Sequence, residues 1–433
     1  MFRIQRTPYG GRGAFASQAI PEDTLIHTCP GPFAHLVYRA FRKEICAYCF
    51  VYAFDSGKSG WGVKIACDGD GSAKGGVWFC KEECRDRWEE EDNVDGMLMS
   101  AYDAIDREAK RLGKANEKGK GKDDGKPRSK IQELEKTIPK KGEAITQDLI
   151  DQAWKSAEAI AESRNHGEDM VAELHKSDVD VARFISTVLV HRYIEDNHPT
   201  PPPSPSTSPS TSKSPSPTPS LQSFSQSLPS SPPTSPSPSL KSFLPLPSPE
   251  LSGNDWLAFL NLQNNELAHL QSIPAALCQA LRVYLFTLQT LPPPLLQYLP
   301  GPGSDDPLIK YLPLSVRELQ ARDAGNSFGI WQQPSGGESE MFGWGIWVSA
   351  SFFNHSCDPN VHKVRNGRIF EFYTSSDVEE GEELCISYGF IDDDLDVKER
   401  REGLKESWYF ECECSRCLEE MREKENNRVA VQD

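Results

Sequence analysis

The chain lacks any apolar run approaching the roughly 18 residues that a membrane-spanning helix needs, so no such helix is expected among its 433 residues. It also has little to suggest a secretory leader. Met1-Phe2-Arg3-Ile4-Gln5-Arg6 is followed by polar and Gly-rich sequence with no apolar core. Positive charge is in short supply: 47 Lys and Arg stand against 64 Asp and Glu, a net charge of −17. That argues against a general nucleic-acid binder, which needs a basic footprint. It is compatible with a basic peptide substrate, although acidic surfaces commonly serve solubility alone. An evenly spread disulfide framework is missing as well. Seven of the 12 Cys fall in two tight pairs and a triplet, and in the reducing compartment expected here such thiols are more often metal ligands than disulfides. Hydrophobic content is only 37% against 26% charged, which suits a soluble chain of two or three domains with some unordered segments.

What is present concentrates in one region. Asn354-His355-Ser356-Cys357-Asp358-Pro359-Asn360 is answered by Ile386-Ser387-Tyr388-Gly389 and by Cys412-Glu413-Cys414-Ser415-Arg416-Cys417. Polar groups, an isolated Tyr and a cysteine cluster recur there as a site would.

Taken in order, residues 1–45 read as short strands and turns. Tyr9-Gly10-Gly11-Arg12-Gly13 is a Gly-rich turn that would also let a ligand approach the main chain. Ala19 to Ile26 reads as a turn feeding a strand. Cys46-x2-Cys49 and Cys80-x3-Cys84 supply four thiols, enough to close a tetrahedral zinc site. The intervening Gly, Asp and Ser could not build a core alone, so a metal would supply folding energy. Cys67 has no partner in this pattern. Residues 107–142, centred on Gly119-Lys120-Gly121-Lys122, read as a solvated connector.

Helical spacing follows at Leu149, Ala153, Ala157 and Ile160, and at Val181, Phe184, Ile185, Val188 and Leu189 after a Ser177-Asp178 cap. Residues 201–250 hold 16 Pro and 18 Ser and cannot bury enough apolar surface to order themselves. Helical spacing returns at Trp256, Phe259 and Leu260 and at Leu277, Leu281, Leu285 and Leu288, so this tract reads as a loop within a domain. From residue 315 the pattern reads as β. Asn366-Gly367 suggests a type I′ hairpin turn, and Leu384 to Tyr388 a strand after the turn at Glu379 to Glu382. The tail after Cys417 is charged and expected to fray.

These motifs resemble the SET domain of protein-lysine methyltransferases: Gly11-Arg12-Gly13, Asn354-His355-Ser356-Cys357, Gly381-Glu382-Glu383-Leu384 leading into Tyr388-Gly389, and the cysteines after it. The finger-like insertion between the two halves resembles the SET-and-MYND (SMYD) arrangement. The resemblance implies an α+β fold of short curved sheets with a C-terminal pseudoknot, an inserted zinc finger and helices, and a post-SET zinc cluster. It implies a division into 1–45 and 315–393 as the two SET parts, 46–92 as the finger, 93–196 as connector and helices, 197–252 as the Pro/Ser insert, 253–314 as associated helices, 394–418 as the post-SET zinc region and 419–433 as tail.

It further implies S-adenosylmethionine as cofactor. Gly11, Arg12 and Gly13 would approach it through main chain, Asn354 and His355 would bond its amino-acid and adenine ends, Phe410 would cover the adenine with Trp408 beside it, and Asn326 would add a polar contact. Tyr388 would be the catalytic residue at the methyl-transfer point. Two structural zincs are implied, one on Cys46, Cys49, Cys80 and Cys84, the other on Cys357, Cys412, Cys414 and Cys417. The implied partner is a histone or other basic protein with a target lysine, in nucleus or cytoplasm, with further protein partners at the finger or the Pro-rich insert and no nucleic-acid or membrane contact.

The sequence departs from the pattern in three places. Arg85 to Glu90 lacks the second finger site's His and final Cys, Trp408 stands where the family has Tyr, and no helical C-terminal domain is expected after the post-SET cluster. The competing expectation is a scaffold with little activity, recruiting partners through an eroded finger.

Overall fold

A computed structural model describes residues 1–9, 11–66, 76–119, 130–139, 144–163, 169–197, 256–297, 316–333, 339–389 and 395–430. The expectations for Cys67, for Lys120 to Lys122 and for the Pro/Ser tract lie outside these residues. No described helix is long and apolar enough to cross a membrane.

Short strands form four small sheets. In the first, β1 (Phe2–Arg6) and β2 (Arg12–Ala16) are antiparallel, β2 pairs with β12 (Glu383–Ile386), and β12 pairs in parallel with β9 (Asn354–His355). Residues more than 340 positions apart in sequence thus lie on adjacent strands. The second sheet is β10 (Val361–Asn366), β11 (Ile369–Thr374) and β3 (Leu25–Cys29). The third is β4 (Ala34–Val37), β8 (Met341–Ile346) and β7 (Phe328–Trp331), and the fourth is β5 (Val63–Ile65) with β6 (Val77–Phe79). Alternating burial on β11, with Phe370, Phe372 and Thr374 inside, is what a half-buried strand of period two requires. Helices 147–162, 176–197 and 275–290 pack into one apolar cluster that reaches the finger. The SET-like sheets enclose a second, and the C-terminal cysteines a third. Mixed helices and small curved sheets make this an α+β fold, as expected.

Several local expectations are corrected. Asn366 pairs with Ile369, so the hairpin loop is Gly367-Arg368 rather than Asn366-Gly367. Only its first residue takes positive φ (Gly367, 64°), the arrangement of a type II′ turn. The shift sends Arg368 inward, where Nη1 and Nη2 meet Asp92 Oδ2 and Oδ1 at 3.1 and 3.2 Å. The strand over 384–388 stops at Ile386, because Tyr388 N–H donates to His355 Nδ1 instead of a ladder carbonyl.

The connector is helical from Met97 to Gly119, with Leu112 buried, and residues 316–326 form a helix before the β region begins. The tail is helical over Ser415–Ala430. The helix carrying Val181 starts at Lys176, and Asp178 lies inside it, accepting from His175 N at 2.9 Å. Helix 147–162 buries Ile150, Ala153, Trp154 and Ala157, a face turned slightly from the Leu149 stripe and capped by Thr146. The finger is less dependent on a metal for burial than its Gly-rich middle suggests. Trp61, Trp78, Phe79 and Trp88 are all buried and join the helical core.

The Arg368–Asp92 pair ties the hairpin to the segment after the finger helix Glu82–Glu91. Asp92 is 2% exposed. Burial alone would raise its pKa, but Arg368 and His191 outweigh that and hold it well below the carboxylate range. Asp92→Ala leaves a buried guanidinium without its partner, so a loss of about 3–5 kcal/mol is expected in urea unfolding. A loss within 1 kcal/mol would mean that water reaches Arg368. By the same sign, the pair stabilises the fold above the unfolded-state carboxyl pKa and its contribution disappears as pH falls through the depressed folded value.

Candidate active site and metal centres

Parallel pairing of β9 with β12 sets Asn354 beside Cys385 and His355 beside Ile386, which carries Tyr388 to the end of the Asn-His strand. His355 is buried. Its Nδ1 accepts from Tyr388 N at 3.0 Å, so in the neutral ring the proton sits on Nε2, 3.3 Å from Cys357 Sγ. Burial pushes its pKa down to about 4, and the ring is neutral at neutral pH.

The Tyr388 hydroxyl donates to Phe353 O at 2.9 Å. Its ring is bracketed by His355, Trp408 and Phe410 at centroid distances of 5.4, 5.7 and 6.3 Å. Burial, then the nearby Cys385 and Glu383, raise the phenol's pKa above its ordinary value. Tyr388 is therefore a neutral hydroxyl whose proton is committed to a carbonyl. Its oxygen keeps lone pairs with which to accept from an amine.

Asn354 Nδ2 donates to Arg12 O at 3.0 Å and to Glu383 Oε1 at 2.7 Å. Gly13 makes this possible: a Cβ there would collide with Glu383 Oε1 and stand 2.7 Å from Asn354 Nδ2. Gly11 has φ of 74°, and a Cβ on it would meet Gln263 Oε1 at 3.2 Å. Asn326 is buried, and its Nδ2 donates to Gln263 O at 2.9 Å and Arg322 O at 2.6 Å. The structure therefore joins Arg12, Gly13 and Asn354 by direct contact, and His355, Tyr388, Trp408 and Phe410 by ring packing. Gly11 and Asn326 both meet Gln263.

The C-terminal cysteines close the same region. Cys357, Cys412, Cys414 and Cys417 have sulfurs all within 4.8 Å of one another, as have Cys46, Cys49, Cys80 and Cys84. Each is the donor set of a closed tetrahedral zinc site. Two guanidiniums sit on the C-terminal set. Arg416 Nη1 donates to Cys357 O at 3.2 Å, and buried Arg400 places Nη2 4.0 Å from Cys417 Sγ while pairing with Glu420 at 2.8 Å. Such cations offset the net negative charge of four thiolates around a dication. Trp408 ends the helix Val397–Trp408, which Asp396 and Glu399 cap as a reciprocal box. Tyr409 follows at φ 67° and turns the chain so that Phe410 faces Tyr388 and Cys412 faces Cys357. The Tyr409 hydroxyl also meets His269 Nδ1 at 2.6 Å, anchoring the turn to helix Glu266–Ser272. The finger set packs on the hairpin, with Cys49 O 3.2 Å from where a Gly367 Cβ would be.

The sequence pattern that defines the SET domain matches residues 11–389. The chain belongs to the SET-domain family. A potential protein lysine methyltransferase of Saccharomyces cerevisiae, SET6, is 23% identical over 97% of this chain and 96% of its own length. Human histone-lysine N-methyltransferase SMYD3 is 42% identical over 18% of each chain. A SET and MYND domain-containing protein of Dictyostelium discoideum is 44% identical over 22% of this chain and 19% of its own length. Against the last two the chain spans about a fifth of their length. The four-thiol set of residues 46–84 fits a finger of MYND type, reduced among the described residues to one site.

Within this SET domain, six participants carried no role in the sequence reading. Tyr9 donates to both Glu383 oxygens at 2.6 Å. Gln263 lies against Gly11, the Phe353 carbonyl holds Tyr388, and Arg400 and Arg416 sit on the C-terminal thiol set. Tyr9 borders a Gly-rich turn and Glu383 lies in a named motif, so both were in view without a role. Gln263 comes from a helical stretch with no motif, and only the fold brings it to Gly11.

Proposed function

We propose that the protein is an S-adenosylmethionine-dependent protein-lysine N-methyltransferase acting on histone or other basic protein substrates. The observation that carries this is Tyr388, its hydroxyl held on Phe353 O and its ring boxed by His355, Trp408 and Phe410. On the neighbouring strand position Asn354 bonds Arg12 O and lies against Gly13. When bound, S-adenosylmethionine supplies a methyl group on a sulfonium and is left as the neutral thioether. Gly11, Arg12 and Gly13 would hold the cofactor through main chain, Asn354 and His355 would hold its polar ends, and Phe410 with Trp408 would close it from water. Asn326 supports the Gln263 segment along the same wall.

Only roughly one free lysine in a few thousand is neutral at pH 7, given an unperturbed pKa near 10.4. An apolar channel next to a cationic sulfonium would disfavour the ammonium and enrich the nucleophilic amine. The Tyr388 oxygen accepts from the amine N–H and so aims the nitrogen lone pair along the transfer axis. The amine nitrogen forms the new bond to carbon and then releases a proton to water. Being neutral, Tyr388 orients and does not act as base. The two thiol sets hold zinc as structural ligands, and the C-terminal one fixes the Phe410 wall.

Incubation with methyl-labelled S-adenosylmethionine and a pool of histones and cell proteins tests this. Label acquired by protein in an enzyme-dependent way is expected. Cofactor binding with no transfer to any protein would instead favour the scaffold, to which the single-site finger lends its one argument.

A further inference from the structure

Glu383 is a half-buried carboxylate without a cation. Among the described residues no Lys or Arg lies within ion-pairing distance of it, and what surrounds it are neutral donors. The Tyr9 hydroxyl donates to both of its oxygens at 2.6 Å, and Asn354 Nδ2 donates to Oε1 at 2.7 Å. Burial, then the bond to Glu383, push the Tyr9 phenol above its ordinary range, so it remains a neutral donor at any working pH. Hydrogen bonds of this kind do not supply the counter-charge that a cation would.

The position is as telling as the missing partner. Glu383 pairs with Phe15 in the register of β12 and β2, and its Oε1 occupies the space a Gly13 Cβ would fill. The Arg12 carbonyl accepts from the same Asn354 nitrogen at 3.0 Å. A carboxylate, a peptide carbonyl and an amide thus meet beside Gly13, where a side chain would keep them apart. Two acceptors and a net negative charge suit a primary ammonium, which brings three N–H donors and one positive charge. A carboxylate does not complement that set, and an adenine edge brings no positive charge to meet Glu383.

We propose that Glu383 is the counter-ion for the α-ammonium of the cofactor's amino-acid end, with Tyr9 as the positioning residue that aims it. The inference rests on the cofactor assignment made under Proposed function. It adds that recognition of that end is electrostatic as well as through Asn354 and main chain. S-adenosylhomocysteine retains the α-ammonium and makes a stable probe.

The test is calorimetric titration of the full chain with S-adenosylhomocysteine and with its des-amino analogue, for the wild type and Glu383→Gln. Gln keeps the shape and can bond both Tyr9 and Asn354. The substitution is expected to weaken S-adenosylhomocysteine by about 10- to 100-fold, the range of a charge-assisted bond, and the des-amino analogue by less than about twofold. Tyr9→Phe should give a smaller loss with the same selectivity. Equal weakening of both ligands would make Glu383 a structural residue and overturn the proposal, as would no weakening of either. Thermal unfolding of the free variants checks that the fold survives. If it does not, the wild type alone decides: it must bind the des-amino analogue at least about 10-fold more weakly, with that difference shrinking as salt is raised. A salt-insensitive difference would also overturn the proposal. Binding of neither ligand by the wild type would instead overturn the cofactor assignment itself, and the inference with it.

Discussion

Tyr388→Phe is expected to lower the rate of methyl transfer by about 10²- to 10³-fold, the loss typical of one oriented contact made at the reacting atoms, while S-adenosylhomocysteine affinity changes by less than about twofold. Phe preserves the ring packed between His355, Trp408 and Phe410, so the aromatic packing persists. What disappears is the oxygen anchored on Phe353 O, and with it the acceptor that orients the amine. Single-turnover rates and separate binding titrations divide the two effects. A variant that binds poorly and transfers at a normal rate once saturated would make Tyr388 a wall residue.

Cys412→Ser is expected to drop the zinc content from about two atoms per chain to about one and to cost most of the S-adenosylhomocysteine affinity. Cys412 shares its cluster with Cys357, which follows the Asn354-His355 strand, and with Phe410 and Trp408, which face Tyr388. Losing the metal frees the segment that carries Trp408 and Phe410. Cys84→Ser should remove one zinc as well, yet alter cofactor affinity far less, since the finger set packs on the β10–β11 hairpin and shares no described contact with Tyr388, Trp408 or Phe410. Elemental analysis beside binding titrations reads both. Equal losses of affinity in the two variants would mean that the zincs stabilise one common unit. An unchanged zinc content in Cys412→Ser would remove that cysteine from the ligand set.

The site was legible where it is written in short motifs. Asn354 to Cys357, Tyr388 and the three C-terminal cysteines are separated by fixed spacings, and the parallel pairing of β9 and β12 brings them together as that pattern implies. The partners that support them come from unrelated stretches: Tyr9, Gln263 and Arg400 carry no signal of their own until the fold closes.

In the fold, the errors have specific causes. Lys- and Glu-rich sequence from 107 read as solvated, yet helix Met97–Gly119 persists through it because Leu112 buries on one face and Arg111 pairs with Glu108 and Asp169 on the other. The hairpin moved by one residue because a buried Asp92 draws Arg368 into the loop, an interaction between residues 276 apart that no local turn rule contains. Tyr388 left its strand because a His side chain, not a neighbouring strand, takes its N–H.

The central claim is that this SET domain moves a methyl group onto a lysine amine. The most direct measurement is the chemical identity of the labelled residue after the wild-type chain has acted on a protein pool with methyl-labelled S-adenosylmethionine. Hydrolysis and amino-acid analysis are expected to recover the label as Nε-methyllysine. Label in methylarginine, in methylhistidine or in a base-labile carboxyl ester would contradict the account, because the neutral acceptor oxygen of Tyr388 and its aromatic walls are matched to a lysine amine.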